Sequence, residues 1–390
     1  MQSSEHTNLS KSVRQSVDIT FALTGDPRVN SRALRQLRLL SELGLKILVL
    51  GLGTPVGVTK MNIKDVTLMC LPRPNGSGPR FFWRNHRQFK SALKYVKSKV
   101  YHASDLYTLP AMRQAADRQR ARLVFDAREL YTHLPSSARR PWVRATWEVI
   151  QHLHIHRANC VYTVSESIAR HLQKKHNAQN ICLMRNIPAP QAATPTRSLR
   201  ERLALPPDVT IILHQGNLQK HRGATMMVEA MLQTDNAVLV FMGHGPMRSD
   251  TEHLVENLGL HSKVRFIDPV PPDKLLSVTA SADVGLTFLE DCCLNHRYAL
   301  PNKLFEYLAA GVPVVSSDLP EISQIIQRFN VGCVVPPGST KALAAALSRA
   351  VSDTELRKTW AANTPDVQKV FNFTTESECF TAAYLALLNG

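Results

Sequence analysis

Two successive series of alternating strands and helices constrain the fold of this 390-residue chain more than any other feature. Short β-branched runs alternate with amphipathic stretches of helical length, which is the pattern of βαβ units on a parallel sheet. A chain of this length also exceeds what one hydrophobic core usually serves. The sequence therefore predicts an α/β protein with two Rossmann-like domains.

The predicted elements fall into two halves. In the first half we expect strands near 18–24, 46–51, 99–102, 123–126 and 160–164, with helices near 31–43, 107–120, 142–156 and 165–176. In the second half we expect strands near 210–215, 238–242, 264–267, 284–289, 312–316 and 332–335, with helices between them.

A segment rich in proline, alanine and threonine separates the two series, and such a composition is typical of an interdomain linker. The predicted domains are 1–190 and 208–372, joined by a linker over 191–207. The amphipathic stretch 373–390 predicts a closing helix, for which a return to the first domain is one option.

The composition of the chain limits the classes of molecule that it is expected to bind. Lys and Arg outnumber Asp and Glu by 47 to 31, which favours anionic partners such as nucleotide phosphates or an acidic membrane surface. No motif of nucleic-acid recognition stands out, so nucleic acid is not an expected partner.

The chain has no apolar block typical of a secretory signal and no long apolar run, which predicts a cytoplasmic protein. Seven scattered cysteines without a C-x-x-C pair predict reduced thiols and no metal site.

The segment Gly216–Gly223, called the phosphate loop below, joins a predicted strand to a helix. Gly216 lets the backbone approach an anion at the helix N-terminus, where Lys220 or Arg222 adds positive charge. The alternative is an ordinary connection with solvated basic side chains. A second glycine pair, Gly243 and Gly245, follows the next strand and so lies at the same carboxyl edge, where doubly wound folds bind ligands.

The stretch 298–315 contains a short helix between Pro301, which suits a first helical turn, and Gly311, which suits a helix end. Glu306 is an acid in this otherwise apolar helix and therefore needs a partner. One candidate partner is the pair of vicinal hydroxyls of a ribose, and the alternative is a nearby arginine.

These motifs resemble the family 4 (group 1) glycosyltransferases, retaining enzymes of the GT-B fold, in which two Rossmann-like domains face each other across a cleft. The resemblance is strongest in the phosphate loop, in 243–245 and in 300–321. It extends to the first half through 25–28, 102–105 and 125–130.

By position, the resemblance implies that Arg222 contacts a donor diphosphate and that Glu306 holds the nucleotide ribose. It also implies that Asn302, Lys303 and the N–H groups around Leu304 lie close to the phosphates. Preorganised cations and helix N-termini would stabilise the departing nucleoside diphosphate, so neither a metal nor a cofactor is expected. An Asp-x-Asp metal motif is also missing.

Three positions depart from the family pattern. Tyr298 replaces a glutamate that often touches the donor sugar, and Asn217 replaces an arginine of the phosphate loop. Arg128 replaces a histidine near the donor sugar. An arginine there can stabilise the leaving phosphate but cannot act as a neutral imidazole.

The same family resemblance indicates candidate acceptor-binding residues in the first domain. Glu129 is a candidate for contact with the acceptor, and His102 and Asp105 are candidates for contact with acceptor or sugar. The alternative for each is an ordinary strand-end or loop residue.

A basic and aromatic segment, Pro79–Lys90, has two interpretations. Its aromatic side chains can enter the headgroup region of an anionic membrane while its cations meet the lipid phosphates. The other interpretation is that the aromatics pack into the first domain.

Together these features predict a metal-independent retaining transferase. It would move a sugar from a nucleotide-diphosphate donor to a glycan or lipid-linked acceptor, with a peripheral position at the inner face of the cell membrane as one option. Two alternatives are a non-hydrolysing nucleotide-sugar epimerase and a non-catalytic nucleotide-sugar-binding protein.

Overall fold

The chain forms two compact units, each built around one sheet, in a computed structural model that describes residues 16–76, 78–190 and 197–389. The first unit runs to Met184 and includes the chain from Thr375 onward, and the second is Arg185–Thr374. This architecture confirms the predicted α/β class with two parallel-sheet units. No helix in the described ranges is long and apolar enough to cross a membrane.

The first unit contains an eight-stranded sheet in the order β3-β4-β2-β1-β5-β6-β7-β8, in which only β3 runs antiparallel to its neighbour. Its strands are β1 (Ser16–Ala22), β2 (Ile47–Leu52), β3 (Gly57–Lys60), β4 (Val66–Leu71), β5 (Lys97–Ala103), β6 (Arg122–Ala127), β7 (Cys160–Thr163) and β8 (Ile181–Leu183). Its helices are α1 (Ser31–Glu42), α2 (Gly78–Ala92), α3 (Leu109–Gln119), α4 (Pro135–Ala138), α5 (Pro141–Ile155) and α6 (Glu166–His176).

The second unit contains a six-stranded, entirely parallel sheet in the order β11-β10-β9-β12-β13-β14. Its strands are β9 (Thr210–Gln215), β10 (Ala237–Met242), β11 (Val264–Ile267), β12 (Val284–Thr287), β13 (Val314–Ser317) and β14 (Gly332–Val335). Its helices are α7 (Leu199–Leu203), α8 (Ala224–Ala230), α9 (Arg248–Asn257), α10 (Leu275–Thr279), α11 (Leu294–Arg297), α12 (Asn302–Ala309), α13 (Pro320–Phe329), α14 (Thr340–Ser352), α15 (Thr354–Ala362) and α16 (Thr364–Val370). The closing helix is α17 (Phe373–Asn389).

Helices cover both faces of the second sheet. Leu213 of β9 packs in one core cluster with Leu304 of α12, whereas Ile212, the residue before it, packs in another with Met227 of α8. Because successive side chains of a strand point to opposite faces, both faces of β9 are buried. This explains why the strand is a continuous apolar run until its last two residues.

Each predicted strand appears, and three further strands were missed in the first unit. Strand β3 is a short edge strand whose side chains are mostly exposed, so its sequence carries little hydrophobic pattern. Strand β4 is a buried apolar run, which periodicity alone does not distinguish from a helix. The third missed strand, β8, spans only three residues.

Part of the predicted linker is regular structure. Residues 191–196 lie outside the described residues, as does the polar start of the chain, 1–15. The rest contains α7, whose Leu199 is buried in the second unit and donates its backbone N–H to the Ser281 hydroxyl at 2.9 Å. The capping box formed by Ser198 and Glu201 begins that helix.

Helix α17 packs on the first sheet. The backbone carbonyl of its Phe380 accepts a hydrogen bond from the Tyr162 hydroxyl at 3.2 Å, and its Tyr384 hydroxyl bonds His102. The side chains of Phe380 and Tyr384 are fully buried. The last helix of the chain is thus part of the first unit's core.

A buried ion pair fixes α1 against β6 in the first unit. The Arg32 guanidinium donates two hydrogen bonds of 2.7 Å to the Asp126 carboxylate, and the Gln36 amide donates a third at 2.9 Å. Burial raises the pKa of Asp126, but the charge of Arg32 and its hydrogen bonds outweigh that effect, so the pKa lies below its ordinary value. The pair therefore stabilises the fold at neutral pH, and this contribution is lost as acid protonates Asp126.

We expect Asp126→Asn to lower the free energy of unfolding by about 3–5 kcal/mol, because it leaves the Arg32 charge buried without its counter-ion. The measurement is chemical denaturation followed by circular dichroism. Asp117→Asn is the matched control, since its ion pair with Arg113 is solvent-exposed and contributes about 0–1 kcal/mol. Equal effects of the two substitutions would contradict the role given to the buried pair.

Candidate functional site

The candidate site lies at the carboxyl edge of the second sheet, beside its central strand. Strand β9 pairs with β10 on one side and with β12 on the other. The chain therefore reverses its direction of progress across the sheet at β9, and the loops that follow these strands diverge there. Crevices of this kind are where open α/β sheets bind ligands.

The loops after β9 and β10 touch each other through their backbones. The N–H of Leu218 donates to the His244 carbonyl at 2.8 Å, and the N–H of Gly216 donates to the Met242 carbonyl at 2.9 Å. A Cβ on Gly243 would lie 2.0 Å from the Gly216 carbonyl oxygen, so a side chain cannot fit there. The close approach explains the second glycine pair, because Gly245 meets Leu218 in the same way.

Tyr307 fixes the position of α12 against the sheet. Its fully buried hydroxyl donates to the Leu213 carbonyl of β9 at 2.8 Å and accepts the backbone N–H of Gln215 at 3.0 Å. The ring occupies the space next to Gly285 of β12, where an added Cβ would lie 2.5 Å from the ring carbon Cγ. Glycine at that position therefore sets the distance between helix and sheet.

Glu306 is oriented by the end of β9. Its carboxylate accepts a 2.6 Å hydrogen bond from the side-chain amide of Gln215, whose own carbonyl oxygen accepts from the Thr279 hydroxyl at 2.8 Å. Gln215 is buried and Glu306 is half-buried. The relay fixes the carboxylate while part of it stays accessible.

Lys303 is a buried amine beside the phosphate loop. Its Nζ lies 3.2 Å from Nε2 of His214, and its Cε lies 3.7 Å from where a Cβ of Gly216 would be. His214 Nδ1 lies 3.0 Å from the Leu286 carbonyl and donates to it, so Nε2 carries the lone pair that accepts from Lys303.

Burial dominates the ionisation of both groups. Burial, and after it the charge of Arg222, lowers the pKa of Lys303 to about 7, although Glu306 opposes the shift. Burial and then the charge of Lys303 hold the pKa of His214 well below its ordinary range. The pocket thus contains a neutral imidazole and an ammonium that needs an anion.

The other predicted donor-side residues belong to the phosphate loop and to the first turn of α12. Arg222 is half-buried and interacts electrostatically with both Lys303 and His214. Asn217 and Lys220 are exposed on the phosphate loop. Asn302 and Leu304 flank Lys303 in the first turn of α12.

The structure therefore brings the predicted residues of the second unit together and adds four that sequence reasoning missed. The missed residues supply the supporting hydrogen bonds: His214, Gln215, Thr279 and Tyr307. Two of these residues could have been found from the sequence. His214 and Gln215 directly follow the apolar residues 211–213 of a buried strand. Buried polar side chains at a strand end require partners.

In the first unit Arg128 and Glu129 follow β6. Nε of Arg128 donates to the Tyr131 hydroxyl at 3.0 Å, and that hydroxyl lies 3.3 Å from the Ser104 carbonyl after β5. The interaction with Tyr131 raises the pKa of Arg128, so its guanidinium stays charged. Glu129 is exposed beside this half-buried arginine.

His102 and Asp105 have supporting contacts. His102 is completely buried, stacks on Phe21 at a ring-centroid distance of 4.1 Å and bonds Tyr384, and burial lowers its pKa to about 4. The Asp105 carboxylate accepts the backbone N–H groups of Thr24 at 2.7 Å and Thr108 at 2.9 Å. These surroundings favour packing and loop-positioning roles over direct contact with a substrate.

The aromatic segment divides between core and surface. Phe82 of α2 stacks on Tyr107 at 4.7 Å and meets the edge of Trp147 of α5 at 4.8 Å. Trp83 points outward with 58% of its surface exposed and carries the Arg87 guanidinium 4.7 Å above its ring. Only part of the segment is therefore available to an external surface.

Two family models match the chain. The model for Glycosyl transferases group 1 matches residues 195–367, and that for a Glycosyl transferase 4-like domain matches residues 29–186. Each match covers the sheet of one unit, and together the two account for most of the chain.

Curated relatives match over about half of their own length. A D-inositol 3-phosphate glycosyltransferase of Corynebacterium glutamicum is 24% identical over 199 residues, which cover 48% of this chain and 46% of that protein. The lipopolysaccharide core biosynthesis glycosyltransferase LpsD of Rhizobium meliloti is 27% identical over 203 residues, covering 52% of this chain and 54% of LpsD.

Solved structures share the fold over nearly the whole chain. Sucrose-phosphate synthase from Thermosynechococcus elongatus superposes with a TM-score of 0.78 at 20% identity, covering 96% of this chain and 99% of that one. Anabaena HepE, solved in complex with UDP and glucose, gives a TM-score of 0.71 at 14% identity, covering 95% of this chain and 100% of HepE.

Proposed function

Because the chain belongs to the group 1 glycosyl transferases, we propose that it transfers a sugar from a nucleotide-diphosphate donor to an acceptor hydroxyl. The observation that carries this proposal is the grouping of Lys303, Arg222 and Glu306 at the switch point of the second sheet. Two cations and a carboxylate held by a glutamine match a diphosphate that is linked to a ribose.

Each group has a role that its chemistry supports. Lys303 and Arg222 neutralise the diphosphate, and the N–H groups of the first turn of α12 add their dipoles. Glu306 accepts hydrogen bonds from the ribose hydroxyls, because a carboxylate is an acceptor and Gln215 orients this one. The phosphate loop closes around the phosphates through its backbone.

The same groups favour bond cleavage. As the glycosidic bond breaks, negative charge grows on the departing nucleoside diphosphate, and cations already in place stabilise it without reorganisation. In the retaining mode that we propose, the acceptor hydroxyl attacks from the face that the phosphate leaves, and a phosphate oxygen takes the proton. Protein side chains then supply the charge stabilisation, and no divalent ion bridges the diphosphate.

We assign the acceptor to the first unit. Arg128 presents a charged guanidinium held by Tyr131, and the exposed carboxylate of Glu129 lies next to it. Arg128 suits an oxyanion, and Glu129 suits a sugar hydroxyl. A glycan or lipid-linked acceptor fits the names of relatives such as LpsD.

A nucleotide screen tests the donor site. We expect UDP, the nucleotide solved with Anabaena HepE, or another nucleoside diphosphate to raise the melting temperature of the protein. Arg222→Ala and Glu306→Ala should each weaken binding by about tenfold or more, since a hydrogen bond to a charged group contributes about 1.5–3 kcal/mol.

Glu355→Ala, an exposed carboxylate on α15, is the control for the screen and should bind like the wild type. Undiminished binding in Arg222→Ala and Glu306→Ala would refute the assignment of the site. Turnover separates the alternatives: product formed without an added acceptor would indicate an epimerase, and binding without turnover would indicate a non-catalytic protein.

Donor binding should depend on pH through Lys303. With a pKa near 7, the amine is charged below pH 7 and must take up a proton on binding above it, whereas the diphosphate of a nucleotide sugar stays ionised. We expect affinity to fall by up to about tenfold per pH unit above pH 7. Isothermal titration in two buffers of different ionisation enthalpy at pH 8 should reveal the proton uptake.

Two variants test whether the pH dependence of donor binding comes from Lys303. Lys303→Gln should bind weakly at every pH and should show no proton uptake, while Lys220→Gln, an exposed lysine of the same loop, should keep the wild-type pH profile. An unchanged profile in Lys303→Gln would contradict the assignment.

We also propose that α2 and α5 form a membrane-facing surface, which suits a lipid-linked acceptor. Trp142, Val149 and Leu153 are more than half exposed and recur at helical spacing along α5, and Trp83 is exposed on α2. Exposed arginines accompany them: Arg80, Arg84, Arg87, Arg139, Arg140 and Arg144. Exposed aromatics flanked by cations are typical of helices that lie on anionic membranes.

Flotation with liposomes tests this surface. The protein should float with vesicles that contain anionic lipid and remain behind with neutral ones, because both charge and apolar burial contribute. The double variant Trp142→Gln and Leu153→Gln should lose most of the binding, and Leu232→Gln, an exposed leucine of the second unit, should keep it. Flotation independent of anionic lipid would refute the proposal.

A further inference from the structure

The loop after β12 gathers three metal-binding side chains. The ligand atoms of Cys292, Cys293 and His296 all lie within 4.8 Å of one another, and Sγ of Cys292 lies 3.5 Å from Nδ1 of His296. Among the residues that the structure describes, this is the one such group of three. The sequence offered no C-x-x-C signal because the pattern is Cys-Cys-x-x-His.

The backbone explains how the three side chains meet. Cys293 precedes the first residue of α11 in an extended conformation, and one turn of that helix brings His296 back over the two thiols. The imidazole is buried, with 6% of its surface exposed, and its Nδ1 also lies 3.0 Å from the Glu290 carbonyl. The thiols are half-buried and reduced, so solvent can reach them.

We propose that Cys292, Cys293 and His296 form a binding site for a thiophilic divalent cation, of which Zn²⁺ is the representative. Thiolate sulfur and imidazole nitrogen are the preferred ligands of zinc, and a water molecule would complete the tetrahedral site. On binding, each thiol releases its proton to the solvent. The two thiolates then balance the charge of the ion, so the site as a whole stays neutral.

This site differs in its ligands from a metal site that is formed through the diphosphate of a nucleotide sugar. Magnesium and manganese prefer oxygen ligands and would be held through a diphosphate, whereas two thiolates select a softer ion. The loop lies beside the phosphate loop, since Glu290 donates its backbone N–H to the His221 carbonyl at 3.1 Å and its carboxylate lies 2.7 Å from the His221 ring. Metal binding can be measured without any nucleotide, so it does not depend on the proposed transfer activity.

The test uses the full chain under a non-chelating reductant. The protein is equilibrated with Zn²⁺, passed through a desalting column, and its metal content is measured. We expect about one zinc per chain. Co²⁺ in place of zinc should produce the intense near-ultraviolet charge-transfer absorption of thiolate-bound cobalt.

Matched variants locate the ion. The double variant Cys292→Ser and Cys293→Ser should lose both the zinc and the cobalt absorption, and Cys379→Ser, which removes an exposed thiol of α17, should retain them. Loss of a single orienting residue already weakens metal sites by about 10- to 100-fold, so removing two thiolates should abolish retention.

Two results would overturn the proposal: a wild-type protein that retains no zinc, or a double variant that retains as much as the wild type. If circular dichroism shows that the double variant is unfolded, Cys292→Ser alone decides the question. That half-exposed position should fold normally and should show a diminished cobalt–thiolate band, and an undiminished band would reject the site.

Discussion

The contact between Tyr307 and Gly285 is the constraint on which the candidate site depends. Glycine on β12 leaves a space that the tyrosine ring fills, and the ring's hydroxyl then bonds the backbone of β9. Lys303 lies one helical turn before Tyr307, and Glu306 directly precedes it. The separation of α12 from β9 therefore determines whether the amine meets His214 and whether the carboxylate meets Gln215.

That constraint explains why the site can keep a buried amine. Placing an ammonium in the protein interior is costly unless it has partners. His214 offers a neutral lone pair at 3.2 Å, and its own tautomer is fixed by the Leu286 carbonyl. The depressed pKa of Lys303 shows that this compensation is incomplete. An arriving anion would supply the missing charge, which favours the phosphate binding proposed above.

The sequence predicted the parts of this site that depend on local chemistry. Glycine at 216, the limits of α12 and the carboxylate of Glu306 follow from turn, cap and burial rules that need no tertiary information, whereas glycine at 243 is required by a contact between two loops. The Gln215–Glu306 bond and the Tyr307–Gly285 contact join residues far apart in sequence, so only strand order and register reveal them. The cysteine cluster was missed for a related reason, because one turn of helix and not a familiar spacing assembles it. The edge strand β3 was not predicted because its exposed side chains show no hydrophobic periodicity.

Arg128 imposes a chemical consequence on the proposed reaction. A guanidinium remains protonated at any physiological pH, so it can stabilise an oxyanion but cannot accept the proton of an acceptor hydroxyl. Its hydrogen bond to Tyr131 does not change this, since burial keeps the pKa of that phenol well above its ordinary value. Buried His102 is equally unsuited to proton exchange with a substrate because its ring is enclosed by Phe21 and Tyr384. Glu129, by contrast, is exposed. Attack on the face from which the phosphate leaves removes the need for any of them, because the departing phosphate oxygen is itself a base placed next to the attacking hydroxyl.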